Sequence, residues 1–229
     1  MKNRFLIVGM GGVGSQLLPS LINYIAHHEK FKEESEVIFI DGDVYEPKNK
    51  ERQIFGKYGN KANVKYDEYN SNELYYNIEF DHYTQYITNE NIQMFIKDYD
   101  YVFICVDNHN TRKLISKYCE NNINNITIIS GGNEYIDGNV QIYIKRNGKE
   151  VTPSLTKYHP EIETPKDKNP EDMSCQELAI SEPQLIFANM GVATFMCFAF
   201  YNIINENYKY SESYFDIELM SADGKIRNI

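Results

Sequence analysis

Arg4-Phe5-Leu6-Ile7-Val8-Gly9-Met10-Gly11-Gly12-Val13-Gly14-Ser15 is the stretch on which the fold turns. A continuous apolar run bounded by glycine is the pattern of a buried strand, here Arg4 to Gly9. Behind the glycines, Leu17, Leu18, Leu21, Ile22 and Ile25 recur at helical spacing, which predicts an amphipathic helix from Ser15 to about His28. Pro19 falls early in it, where a missing N–H matters least. Without Cβ atoms the turn between strand and helix can tighten. A phosphate can then reach the N–H groups at the helix N-terminus, where the dipole favours an anion. A lone G-x-G-x-x-G is weak, but this one has the strand–turn–helix setting that a nucleotide needs.

Glu36-Val37-Ile38-Phe39-Ile40-Asp41 reads as a second short strand ending on an acid. Two strands around one helix form a βαβ unit, which requires a parallel sheet and a right-handed crossover. An acid at the end of the second strand suits a ribose hydroxyl. NAD and ATP both carry one, so these features identify a nucleotide and leave both open.

The alternation continues. Gly59 to Asn70 is expected to be a weak helix and Asn77 to Tyr86 a strand. Asn89 to Lys97 is read as a helix with Ile92, Met94 and Phe95 toward the core. Tyr101 to Val106 is a strand ending on Asp107, Thr111 to Cys119 a helix, and Ile126 to Ser130 a strand punctuated by Gly131-Gly132. This order predicts a Rossmann-like, doubly wound α/β fold with a mostly parallel sheet. Asn139 to Lys145 looks like an antiparallel strand. Residues 147 to 173, with Pro153, Pro160, Pro165 and Pro170, show almost no apolar periodicity and are expected to be a long irregular segment. Ser213 to Met220 and Lys225 to Ile229 flank Ala222-Asp223-Gly224, which predicts a C-terminal hairpin. No repeat or linker interrupts the pattern. Residues 1–229 are read as one domain, with a nucleotide-binding half at 1–132 and a substrate and crossover half at 133–229.

Composition narrows the partners. The 229 residues suffice for one sizeable core. A formal net charge of −10 and dispersed lysines argue against nucleic acid. Cys105, Cys119, Cys175 and Cys197 are too far apart for a zinc knuckle or a redox pair. Phe5 to Val8 is too short for the apolar region of a signal peptide, so a reducing cytoplasm is expected. Leu185 to Ile204 is long enough to span a bilayer. It carries Asn189, Gly191, Thr194 and Asn202, however, and no Lys/Arg cluster adjoins it, so it is read as a helix buried against the sheet and no membrane is expected.

The discriminating block lies beyond Asp41: Asp41-Gly42-Asp43, then Asn49-Lys50-Glu51-Arg52-Gln53, then Gly59-Asn60-Lys61-Ala62. A dehydrogenase does not need Asn, Arg and Gln just past the ribose acid, whereas a triphosphate needs cations there. Asp107-Asn108-His109-Asn110-Thr111-Arg112 opens the next crossover at the carboxyl end of its strand, where doubly wound sheets bind ligands. Asp107 there is a candidate ligand for Mg²⁺ beside phosphates.

The chain resembles the ThiF/MoeB family, the catalytic fold of ubiquitin-activating enzymes, over roughly its first 112 residues. Glycine loop, D-x-D, N-x-x-R-Q, G-x-K-A and D-N-x-x-x-R follow in the family's order. The resemblance implies an ATP-dependent adenylyltransferase acting on the C-terminal carboxylate of a ubiquitin-like or sulfur-carrier protein. Gly9, Gly11, Gly12 and Gly14 would cradle the nucleotide and Asp41 the ribose. Asn49, Arg52, Gln53 and Lys61 would surround the triphosphate, with Arg52 and Lys61 stabilising charge, and Asp43, Asn108 and Arg112 would complete the nucleotide-binding set. Asp107 would coordinate Mg²⁺ or steer the carboxylate. Cys175, the cysteine in a polar neighbourhood, is a candidate to take the acyl group as thioester or persulfide, and an ordinary loop thiol is the alternative. Cys105, Cys119 and Cys197 are expected to be inert core thiols.

Relatives dimerise beside the sheet, and the uncharged helix around Phe195 to Phe200 would supply an apolar surface for a homodimer. The short form with its terminal hairpin is also similar to single-domain ThiF-like proteins of bacterial mobile elements. Two departures stand out. The paired CxxC motifs of many members are missing, so no structural zinc is expected. The helix that precedes the first strand in relatives, with an arginine reaching into the partner protomer's ATP site, has no counterpart here, which leaves open whether another chain supplies that cation. His27 and His28 close a helix, His82 and His159 are read as isolated, and His109 as an incidental loop residue. An NAD(P)-dependent oxidoreductase and a non-catalytic subunit of a heterodimeric activating enzyme remain as alternatives.

Overall fold

The computed structural model describes residues 2–167 and 185–229. Along the chain β1 (Asn3–Val8) leads through α1 (Gly12–His27) to β2 (Ser35–Ile40). A small antiparallel ribbon, β3 (Val44–Tyr45) with β4 (Gly59–Asn60), precedes α2 (Lys61–Asn70) and β5 (Ile78–Tyr83). Then come the single turn α3 (Ile92–Phe95), β6 (Tyr101–Ile104), α4 (His109–Asn122) and β7 (Ile126–Asn133). The second half holds β8 (Asp137–Arg146), β9 (Lys149–Glu150), α5 (Pro160–Glu163), the long α6 (Ile186–Ile204) and the hairpin β10 (Glu212–Asp216) and β11 (Ser221–Lys225).

The parallel part of the sheet runs β5-β2-β1-β6-β7, and β8, β10 and β11 extend it antiparallel. Strand order reverses between β1 and β6, so the crevice at their carboxyl ends is the ligand position of a doubly wound sheet. The fold expected from the sequence is therefore the fold found.

Alternation along the strands divides the core. Phe5, Ile7, Val37, Phe39 and Phe103 join Leu17, Leu18 and Leu21 of α1 and Val192, Met196 and Phe200 of α6 on one face. Leu6, Val8, Ile38, Ile40, Val102 and Ile104 meet Ile92, Phe95, Ile115 and Cys119 on the other. Both faces are covered, which is why the central strands read as unbroken apolar runs. Phe200 anchors α6, with its ring 5.7 Å from Phe31, 5.4 Å from Phe103 and 5.9 Å from Phe5. The helix is long and apolar enough to cross a membrane, yet one side of it seals this sheet. Its other side exposes Phe187, Met190, Phe198 and Tyr201.

Several boundaries differ from expectation. β7 runs on through Gly131-Gly132 to Asn133, because α6 packs so closely that a Cβ on Gly131 would lie 2.5 Å from both Met196 Sδ and Val192 Cγ1. The expected helix at 89–97 shrinks to one turn, and Met94 is 63% exposed rather than in the core. Ile96 is already extended, and Asp100 Oδ2 accepts from Lys97 N at 2.8 Å, which draws the chain away from the helix. The segment after 147 is not structureless: β9 and α5 form, and Leu155 and Ile162 are buried in the second core face. Ala222, Asp223 and Gly224 lie inside β11, and the hairpin turns instead at 217–220, where Met220 takes φ +49 and Asp216 Oδ1 accepts from Leu219 N.

His159 is not isolated. Its Nε2 meets Glu212 Oε1 at 2.5 Å and its Nδ1 meets Glu161 Oε1 at 2.7 Å. Glu212, which is buried, also accepts from Arg227 Nε at 2.7 Å and from the Tyr214 hydroxyl. Arg227 lies over the Tyr158 ring, and the Tyr158 hydroxyl donates to Asn228 O at 2.8 Å. The cluster ties the 158–161 segment and the chain end to the start of β10. Burial alone would lower His159, but Glu212 and Glu161 outweigh it and hold the imidazole above its ordinary value. Burial alone would raise Glu212, but His159, Tyr214 and Arg227 bring it down to about 2.

The signs give a two-sided pH profile. Stability from His159 is full below its ordinary value of 6.5 and is lost as pH rises through its higher folded value. Stability from Glu212 is full above 4.5 and is lost as pH falls toward 2. Urea unfolding across this range is expected to give a plateau between those limits with decline on both sides. Glu212→Gln should flatten both flanks and remove about 3 kcal/mol at the plateau.

Candidate functional site

The turn after β1 is built by contact rather than by flexibility. Gly9 has φ +93, and a Cβ on it would sit 3.0 Å from the Cys105 carbonyl carbon and oxygen. A Cβ on Gly14 would overlap the carbonyl oxygen of Gly9 outright. The amide of Asn189, from α6, lies where a Cβ on Gly12 would go, 2.6 Å from Asn189 Cγ and Oδ1. Gly11 is different: nothing comes nearer to its Cβ position than Gln53 Nε2 at 3.8 Å. Met10, between them, is tethered twice. Its N–H donates to Asp41 Oδ2 at 2.6 Å, and its carbonyl accepts from the Tyr45 hydroxyl at 2.6 Å. Ser15 Oγ donates to Gly12 O and accepts from Ile54 N, both at 3.1 Å, joining the helix start to the Arg52–Ile54 backbone.

Asp41 ends the second strand as expected and is buried. Besides Met10 N it accepts from Asp43 N at 2.8 Å. Each carboxylate oxygen thus takes one N–H and keeps a lone pair for a hydroxyl. Burial pushes Asp41 up, and Lys61 with the two N–H donors only partly offsets this. Lys61 Nζ donates to Asp43 Oδ2 at 2.5 Å and lies 5.8 Å from the Tyr45 ring centre. Burial draws Lys61 down, but Asp41, Asp43 and, less strongly, Asp107 outweigh it and hold its ammonium above the ordinary lysine value. Asn60 caps α2 through Asn63 N and donates to the carbonyls of Asp41 and Asp43 at 2.9 and 3.0 Å. That cap sets Lys61, the first residue of α2, against the acids.

The rest of the expected phosphate set divides. Asn49 is buried and its Oδ1 accepts from Glu46 N at 2.8 Å, closing the turn at 47–49. Arg52 is partly buried and its carbonyl accepts from Asn189 Nδ2 at 3.2 Å. Gln53 is buried beside Gly11, with an enclosed Oε1 that meets no donor among the described residues. Asp107 is exposed at the carboxyl end of β6. Asn108 caps α4 by accepting from Thr111 N at 2.8 Å. Arg112 is buried, where its guanidinium donates to Val106 O and Gly131 O at 2.7 Å and to Ser130 Oγ at 3.3 Å. It clamps the ends of β6 and β7. Burial lowers it, against the pull of Asp107. Cys175 lies outside the described residues.

Sequence reading missed four participants. Tyr45 and Asn60 carry only local signals of a turn and a cap. Asn189 stood out solely as a polar residue in an apolar helix. Asp167 sits at the start of α4, where its Oδ2 accepts from His109 N at 2.7 Å and Asn110 N at 3.3 Å.

No group of three or more His, Cys, Asp or Glu suited to a metal occurs among the described residues. A single exposed carboxylate such as Asp107 still fits Mg²⁺, which is usually held by one or two carboxylates together with substrate phosphates. Burial pushes the Cys105 and Cys119 thiols up, and Cys197 to about 11, so none of these three is a ready thiolate.

A family model described as the ThiF family matches residues 1–228. No curated protein matches. Among solved structures, E. coli MccB with AMPCPP and MccA superposes with a TM-score of 0.69 at 17% identity, covering 98% of this chain and 63% of that one. The microcin C7 biosynthetic enzyme MccB with N-formylated MccA gives 0.70 at 16%, covering 98% and 64%. PaaA gives 0.68 at 15%, covering 98% and 72%. The chain thus spans under two thirds of these MccB chains, and at such identities the likeness establishes the fold.

The glycines should separate by experiment. Gly14→Ala is expected to abolish cooperative unfolding or lower the melting temperature steeply. Gly11→Ala, whose Cβ meets no close neighbour, should melt well above Gly14→Ala. Thermal melts of the two variants without ligand check this.

Proposed function

Because the chain belongs to the ThiF family, we propose that it is an ATP-dependent adenylyltransferase that activates the C-terminal carboxylate of a ubiquitin-like or sulfur-carrier protein. The observation that carries the reading is a buried lysine, Lys61, paired with Asp43 beside Asp41, whose carboxylate in turn accepts from Met10 N in the turn that leads into α1. The glycine turn alone would suit NAD equally. A buried lysine beside the acid that ends β2 suits a triphosphate.

In this reading the phosphates lie against the N–H groups of Gly11 and Gly12, and the ribose hydroxyls donate to Asp41. A carboxylate oxygen of the tail attacks the α-phosphorus, and the bond to the bridging oxygen of the β-phosphate breaks. Its electron pair leaves with pyrophosphate, and no proton has to move. Arg52 and Lys61 stabilise charge on the phosphoryl oxygens, while Asn49, Gln53, Asn108 and Arg112 hold the walls in register. Asp107 would hold Mg²⁺, which would supply neutralisation of phosphate charge. Cys175 would then take the acyl group as a thioester, its sulfur attacking the acyl carbon as AMP leaves.

The whole chain acts as one domain in the cytoplasm, as a homodimer that covers Phe187, Phe198 and Tyr201 of α6. Likeness to MccB solved with MccA favours a second substrate, in which the tail belongs to a short peptide instead of a folded carrier.

ATP–pyrophosphate exchange dependent on added carboxylate tests the proposal, with peptides ending in Gly-Gly and a ubiquitin-like carrier as substrates. Exchange is expected to fall about 100-fold in Lys61→Ala and in Asp107→Ala. ATP binding without exchange for any tail would overturn it. Sedimentation showing only monomer at micromolar concentration would remove the homodimer.

A further inference from the structure

Helix α6 bears no charge, and among its buried residues Asn189 alone has a polar side chain. That side chain is fully enclosed. Its Nδ2 donates to Arg52 O at 3.2 Å across 137 residues of sequence. Its Oδ1 is buried and meets no donor among the described residues. The orientation follows from the carbonyl: exchanging Oδ1 and Nδ2 would set two acceptors against each other. The amide also presses on Gly12, the first residue of α1, so closely that a Cβ there would have to displace it.

This constraint on Gly12 is separate from the approach of a phosphate. The amide touches both halves of the proposed phosphate site, the start of α1 on one side and the backbone of Arg52 on the other. An apolar residue would fill the same space and remove the unpaired Oδ1, whose burial is unfavourable for stability. What it would lack is the bond to Arg52.

We infer that Asn189 is a positioning residue for the triphosphate: it holds the Arg52 backbone at a set distance from the N-terminus of α1. The inference rests on the ATP reading above. Asn189 touches no phosphate in this arrangement. It acts by keeping the guanidinium-bearing segment and the helix N–H groups in one geometry, so that both reach the same phosphates.

Asn189→Leu, close in shape, separates this role from simple packing. Its melting temperature without ligand is expected to stay within a few degrees of the parent, because one unpaired acceptor, Asn189 Oδ1, is removed while another, Arg52 O, loses its donor. Its ATP Kd by calorimetry should rise about tenfold, as a small misplacement of binding groups would cause. In the exchange assay KM for ATP should rise while KM for the carboxylate tail stays constant. Asn189→Asp, which keeps the shape but removes the donor, should weaken ATP binding at least as much. An unchanged ATP Kd in Asn189→Leu, with the parent binding ATP, would overturn this inference and leave the adenylyltransferase proposal standing. A parent that binds no ATP would overturn both.

Discussion

The hydrogen on Gly14 faces the carbonyl oxygen of Gly9, and a carbon in its place would overlap that oxygen. Helix α1 can lie down on β1 only because of this. With α1 seated, Leu17, Leu18, Leu21, Ile22 and Ile25 cover Phe5, Ile7 and Phe39, and the first crossover has its handedness and depth. Close packing then propagates: Phe200 of α6 reaches Phe5, Phe31 and Phe103 in the layer that α1 has opened. The same contact aims the N-terminus of α1 at the place where strand order reverses. Close neighbours fall on Gly9, Gly12 and Gly14 separately, which explains why the turn is so rich in glycine.

Around this turn the polar groups are arranged as tethers first. Asp41 and Tyr45 grip the two sides of the Met10 peptide, and Ser15 fastens the helix start to Ile54. Lys61 is buried yet stays charged because Asp41, Asp43 and Asp107 surround it. Such interlocking restricts the conformations of the turn before any ligand arrives. The lost entropy is offset within the fold, and binding groups are set in advance.

Legibility in the sequence followed the range of the interaction. The glycine turn, the central strands and α1 were readable because apolar periodicity and glycine spacing are local signals. Asn60, Asn49 and Asn108 also have local roles as caps and turn closers, and N-cap patterns carry that part of their meaning. Residues 147–167 were not readable, since Leu155 and Ile162 are single apolar residues without a period, buried by partners far along the chain. The terminal turn misled because Met220 adopts the positive φ that Gly224 seemed to offer. His159 finds Glu212 across 53 residues and Asn189 finds Arg52 across 137, distances over which spacing holds no information. The family resemblance assigned residues to a site, but it did not say which of them were already engaged by the protein.

That engagement bears on how the site would attract an anion. Lys61 is paired with Asp43, and Arg112 is turned toward two carbonyls and a hydroxyl at the ends of β6 and β7. Asp41, Asp107 and Asp167 add negative charge around the same crevice, in a chain whose net charge is already −10. Raw charge therefore does not draw phosphates here. In the proposed site the favourable terms would be directional: N–H groups at the start of α1, and a guanidinium whose backbone is held beside them. Directional terms weaken quickly when donors drift, so affinity in such a crevice depends on rigidity more than on the number of cations. In the proposed site a buried amide that ties Arg52 to Gly12 would supply that rigidity, beside a lysine whose ammonium Asp43 already holds in place.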